Sequence, residues 1–223
     1  MKLENKKLQI SCDGGAATGK STGAKLIAKK YKLPFLSSGL LYRYASYLIL
    51  KHEPKNNISF LSKKFKNLDY KKLNKINLHT SKISTTSADI AKILKVRNIL
   101  KKYQKNFIKK NKSCVLEGRD ASTKILPNSD VKFFFICNLN TAARRRYNEL
   151  KKKSKKINFN EVKRAIYKRD LSDRTRSISP LQKHPDAVVV NTTKIGKQAV
   201  LAKMSKFVEK VLKKKYGKRT RIK

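Results

Sequence analysis

Gly14, Gly19, Lys20 and Ser21 stand at the spacing G-x-x-x-x-G-K-[ST], inside the run LQISCDGGAATGKSTGAKLIA at residues 8–28. That spacing suits a loop that wraps a polyphosphate. Gly14, Gly15 and Gly19 can take backbone angles that other residues resist, so the loop can turn its N–H groups inward onto an anion. Lys20 can reach the outer phosphates of a nucleoside triphosphate as a mobile point charge. The Ser21 hydroxyl falls where Mg²⁺ would sit. The residues before the loop read as a strand and those after it as a helix, whose positive end points at the same spot.

A second set of residues stands out by scarcity. The chain has 45 Lys but only 12 Arg, and seven of those Arg fall between positions 144 and 176. Where Lys is so abundant, an Arg suggests a task that Lys does poorly, such as a bidentate grip on phosphate. Every Arg is therefore a candidate for binding a phosphorylated ligand, above all those of the 144–176 cluster. Only 14 residues are acidic, so an acidic residue among these Arg is notable too, with a salt bridge to a neighbouring Arg as the alternative reading. The Arg144–Arg145–Arg146 run also suits a solvated helix face.

Elements able to position these residues follow from the pattern. Short apolar runs at 8–14, 33–36, 113–116, 131–137 and 187–191 alternate with helical periodicity, notably at 88–110, 140–152, 160–171 and 194–214. The stretch 171–187 reads as a loop. This alternation predicts an α/β fold, a P-loop NTPase-like parallel sheet of about five strands covered by helices on both faces. In such sheets ligands gather at the carboxyl ends of the strands, where the loop at 14–21, Ser37–Ser38 and the run Glu117–Asp120 all fall. We expect a single domain over 1–223. Within it we expect a small inserted lobe at 53–87, a lid turn at 151–160 and a basic tail at 213–223.

The totals set bounds. At 223 residues the chain can bury one sizeable core, and no run of 18 apolar residues offers a membrane span. Cys12, Cys114 and Cys137 are odd in number, lie in strand-like runs and suit no zinc spacing, so we expect buried, reduced thiols. With no apolar signal core near the start, the expected location is cytoplasmic. The net charge of +43 would ordinarily raise a nucleic-acid partner. The Lys are spread along the whole chain, however, with abundant Asn and Ile, a pattern equally expected of AT-rich coding.

Four segments resemble the bacterial cytidylate kinases, which are P-loop nucleoside-monophosphate kinases: DGGAATGKST, FLSSGLLYR, LEGRDASTKILPNSDVKFF and RDLSDRTRSISPLQKHPDAVVVNTT. Together they run through residues 8–191 apart from the lobe. The resemblance implies transfer of the γ-phosphoryl of ATP, with Mg²⁺ held at Ser21, to the phosphate of CMP or dCMP. It implies that Gly14, Gly15, Ala16, Ala17, Thr18, Gly19, Lys20, Ser21 and Thr22 hold the ATP phosphates, with Arg145 at the base of a lid. Ser38, Arg43 and Arg119 would meet the acceptor phosphate, and Arg97 and Asp120 the cytosine edge. Arg169 and Asp173 would sit on the ribose side, with Arg176 closing over the phosphates. Lys20, Arg119, Arg169 and Arg176 would thus be the catalytic set. ATP and the monophosphate would be the partners of a monomer, with no membrane or specific nucleic acid.

The chain departs from the family pattern at three places. Gly15 stands where the family usually has proline, Ser37 where it has aspartate, and Ala88, with Ser87 adjacent, where it has serine. A P-loop kinase for another small phosphate acceptor, such as UMP, and a basic nucleic-acid-binding protein are the competing readings.

Overall fold

The structure is a computed structural model that describes residues 6–152 and 156–217. Parts of the expected lid turn (153–155) and basic tail (218–223) lie outside the described residues.

Five parallel strands form one sheet in the order β2-β3-β1-β4-β5. They are β1 (Gln9–Gly14), β2 (Phe35–Ser37), β3 (Cys114–Gly118), β4 (Val131–Ile136) and β5 (Val188–Asn191). The central strand β1 sets Ile10 opposite Val115 on one side and Val131 on the other. Side chains alternate between the faces, which splits the apolar residues into two cores. Ile10, Cys12, Val115, Phe133 and Phe135 pack with α1 (Lys20–Lys30) and α8 (Lys197–Tyr216). Leu36, Cys114 and Leu116 pack with α2 (Ser38–His52), α3 (Asn57–Lys66), α4 (Ser81–Ile90) and α5 (Leu94–Lys110). Ala142, Ala143, Val162 and Ile166 make a smaller cluster between α6 (Leu139–Lys151) and α7 (Phe159–Thr175).

Under β1 the second face is polar. Asp13 is buried and accepts the N–H groups of Ala121 (2.8 Å) and Ser122 (2.7 Å) and the Ser122 hydroxyl (2.6 Å). Burial still pushes its carboxyl up to about 6. Asp13 thereby pins the single π-type turn at Ala121–Ile125 beneath the phosphate loop.

Four expectations from the sequence need correction. The periodicity at 88–110 belongs to two helices, since α4 ends at Ile90 and α5 starts at Leu94. The break is stabilised by Arg97, whose guanidinium donates to the Ala91 carbonyl at 3.0 Å. The stretch 171–187 is not all loop, because α7 runs on to Thr175. Asp173 pairs with Arg169 one turn back and with Arg176 just beyond, which favours helix over the turn-forming Ser and Asp. Helix α8 continues to Tyr216, where Lys215 pairs with Asp130 at 2.7 Å. Cys137 is only half-buried, because it lies just past β4. Among the described residues, no helix is long and apolar enough to cross a membrane.

Gly14 closes β1 at φ 152°, and a Cβ there would stand 2.5 Å from the Phe135 carbonyl oxygen. Gly14→Ala is expected to lose about 2–4 kcal/mol, combining backbone strain with overpacking. Urea unfolding monitored by circular dichroism measures it.

Candidate functional site

The loop between β1 and α1 is held from three sides. Gly19 caps α1 with φ 80°, and Ala17 also adopts a left-handed angle, φ 53°. Thr18 donates its hydroxyl to the Gly15 carbonyl at 3.1 Å, bracing the turn from within. Thr192, just after β5, donates to the Thr18 carbonyl at 2.8 Å. Arg145 on α6 in turn donates to Thr192 at its hydroxyl (2.9 Å) and its carbonyl (2.7 Å). Arg145 is thus the member of its triplet that lies beside the loop. Arg144 stacks on the Phe159 ring 4.5 Å away, and Arg146 pairs with Glu149 at 3.2 Å. Ser21 and Thr22 occupy the exposed first turn of α1.

Lys20 is buried and makes an ion pair with Glu117, at the end of β3. Burial pushes the Lys20 ammonium down, against the opposing pull of Glu117. Burial would raise the Glu117 carboxyl, but Lys20 and the hydroxyl of Ser37 outweigh it and hold it below its ordinary value. Ser37 donates to Glu117 while its oxygen accepts the Leu40 N–H at 3.3 Å and caps α2. A carboxylate from β3, one strand over, thus lies against position 37, where the family pattern has aspartate.

Asp173 on α7 gathers three arginines. Its Oδ2 accepts from Arg119 Nε at 2.8 Å and Arg169 Nε at 3.2 Å, and its Oδ1 from Arg176 Nη1 at 3.2 Å. Burial would raise this carboxyl, but Arg119 and Arg169 outweigh it and hold it at about 2. Arg97 and Asp120 form a separate buried ion pair, with the guanidinium 5.6 Å from the Tyr42 ring centroid. Arg43 on α2 donates to the Leu78 carbonyl (3.1 Å) and the Ser84 hydroxyl (2.7 Å). Among the described residues no carboxylate lies within ion-pair distance of Arg43, and burial together with Arg146, Arg169 and Arg119 pushes its guanidinium down to about 10.

These groups feel one another's charge at the sheet edge. Lys20 lies within electrostatic reach of Arg119, and Arg176 within reach of Arg97 and Asp120. The phosphate loop, the Asp173 cluster and the Arg97–Asp120 pair are therefore electrostatically linked through Lys20, Arg119 and Arg176. Ser38 is the exception in its bonding, since its buried hydroxyl donates to Gln104 at 2.9 Å. Glu117, Thr192 and Gln104 were not singled out from sequence. Glu117 alone had a signal, an acid at the carboxyl end of the strand beside β1.

A parallel sheet of this order with a glycine-rich loop at the end of its central strand defines a P-loop nucleotide-binding protein. Solved structures from Thermus thermophilus (TM-score 0.51, 17% identity, covering 92% of this chain and 98% of that one) and Eubacterium ventriosum (TM-score 0.50, 16%, covering 92% and 99%) share the fold. The family described as "Cytidylate kinase" matches residues 10–210. The cytidylate kinases of Bartonella tribocorum and Fusobacterium nucleatum are 35% and 36% identical to it, over 93% and 91% of this chain and 97% of each of theirs. That of Clostridium tetani is 34% identical over 96% of this chain and 100% of its own. The chain belongs to the cytidylate kinase family and is a phosphotransferase.

Asp173 yields a pH test. Its folded-state pKa lies below the unfolded value, so its stabilisation is complete above about pH 4 and lost as pH falls toward about 2. The amount is on the order of 2 kcal/mol. Urea midpoints from pH 5 to 2.5 should fall more steeply for the wild type than for Asp173→Asn. Parallel curves would contradict the assignment.

Proposed function

We propose that this chain transfers the γ-phosphoryl group of ATP to the phosphate of CMP or dCMP, with the phosphate loop as donor half and the arginine cluster as acceptor half. One observation carries the reading. Arg43, Arg119, Arg169 and Arg176 converge on one place where, among the described residues, Asp173 is the one carboxylate that pairs with the last three and none pairs with Arg43. A phosphate dianion supplies the missing negative charge, and arginine forks suit its geometry.

The chemistry asks little of the protein beyond alignment and charge. Phosphoryl transfer passes through a loose transition state, and an ionised acceptor phosphate needs no general base. Gly14–Thr22 cradle the donor phosphates through backbone N–H groups. Lys20 follows the group in flight, exchanging Glu117 for phosphate oxygen. Arg119 stands between the two halves, two residues after Glu117, and Arg169 and Arg176 stabilise charge from the acceptor side. The Arg97–Asp120 pair beneath Tyr42 offers a donor and an acceptor edge for a cytosine base.

Among the described residues, no cluster of three metal-ligating side chains exists. This fits Mg²⁺, which keeps waters and phosphate oxygens and needs few protein ligands. Ser21 would hold it, and bound there it would neutralise charge on the transferring phosphates. Three free cysteines support a reducing, cytoplasmic setting. The assigned place is pyrimidine nucleotide metabolism.

A panel of CMP, dCMP and UMP with ATP and Mg²⁺ tests the reading, with turnover expected to be fastest for the cytidine nucleotides. Turnover of another monophosphate in preference would contradict it. Lys20→Ala should lower kcat on the order of a thousandfold with the fold retained. Asp173→Ala should raise KM for CMP at least tenfold more than KM for ATP, because its partners lie on the acceptor side.

A further inference from the structure

Asp170 lies on α7 among the arginine-binding residues, yet its carboxylate points the other way, onto the phosphate loop. Its Oδ1 accepts the backbone N–H of Ala16 at 2.7 Å. Among the described residues no cation lies within ion-pair distance of it. Burial pushes its carboxyl up, opposed by the Ala16 N–H and by Arg119.

As it stands, the contact uses the space left by the bare Cα of Gly15. A Cβ added at Gly15 would collide with Oδ2 of Asp170 and lie 3.0 Å from its Cγ. Gly15 does not adopt a left-handed angle, so a larger residue there would disturb the Asp170 contact by crowding and not by backbone conformation. The side chains of Ala16 and Ala17 also pack against the cluster formed by Ala142, Ala143, Val162 and Ile166. The loop is therefore seated against α6 and α7 by apolar contact, with Asp170 as the directional bond that fixes its register.

We infer that Asp170 is a positioning residue that latches α7 to the phosphate loop, so that occupancy of the loop and placement of Arg169, Asp173 and Arg176 depend on each other. The helix turn that carries Asp170 carries Arg169 immediately before it and Asp173 three residues after it. A shift of the loop at Ala16 is thereby a shift of the acceptor cluster. Gly15 is the other half of the latch. The inference rests on the two-nucleotide reading of the site and goes beyond it by naming how its halves communicate.

Calorimetric titration of CMP, with and without a saturating non-hydrolysable ATP analogue, tests it on the full chain. In the wild type the analogue should tighten CMP binding at least fivefold, the low end of ordinary coupling between sites. Asp170→Ala and Gly15→Ala should each bring that ratio close to one. Their combination should be no worse than either, because both break one contact. Asp170→Asn, whose amide oxygen still accepts the Ala16 N–H, should keep most of the ratio. Faster hydrogen exchange of the Ala16 amide in Asp170→Ala, but not in Asp170→Asn, would support the latch directly. If Asp170→Ala fails to fold, Gly15→Ala carries the test alone. A wild-type ratio of one, unchanged ratios in the single variants, or additive losses in the double variant would overturn the latch. Failure of the wild type to bind CMP at all would overturn the two-nucleotide reading, and the latch with it.

Discussion

Positive charge that the protein does not neutralise is the constraint on which this structure turns. Lys20, Arg43, Arg119, Arg169 and Arg176 gather at one edge of the sheet, where their only ion-pair partners among the described residues are Glu117 and Asp173. Asp173 serves three guanidinium groups at once. Arg43 is left with a backbone carbonyl and a serine hydroxyl, which are neutral acceptors. Burying a cation without a full counter-charge is costly, so such a site is completed by an anion. The parallel sheet makes the crowding possible, because β1, β2 and β3 all deliver their carboxyl ends to the same edge.

The arginines also bind the protein's own backbone, and in doing so they join separate segments. Arg169 on α7 donates to the Ser84 carbonyl at 2.8 Å, and Arg43 on α2 reaches the Ser84 hydroxyl. Arg146 on α6 donates to the His79 carbonyl at 3.4 Å. These bonds join the segment from residue 78 to 84 to both the core and the helices over the phosphate loop. Exclusion of water is what a phosphotransferase needs of such an arrangement, since water competes with the acceptor for the phosphoryl group.

What the sequence made legible was whatever is local. The loop motif, the apolar strands and the scarce arginines are each visible within a short window, and the observed sheet follows from their alternation. Helix α7 was truncated at Leu171 because Ser172, Asp173 and Thr175 have turn-forming composition. Its continuation depends on arginine pairs spaced three and four apart, which composition does not weigh. The gap between α4 and α5 depends on Arg97 satisfying the Ala91 carbonyl, a tertiary service that hydrophobic periodicity cannot register. Glu117 with Lys20 and Asp170 with Ala16 join positions 97 and 154 residues apart, and no spacing rule connects them. The resemblance placed the aspartate of position 37 as missing, whereas the structure puts a carboxylate in contact with Ser37 from a neighbouring strand.

The central claim is that two phosphate-binding halves face each other across the sheet edge, close enough to exchange a phosphoryl group. A single molecule carrying adenosine and cytidine joined through their 5′ positions by a chain of five phosphates measures this most directly. It should inhibit competitively against both ATP and CMP, and bind far more tightly than either nucleotide alone. Competition against only one of them, or an affinity no better than ATP's, would contradict the claim.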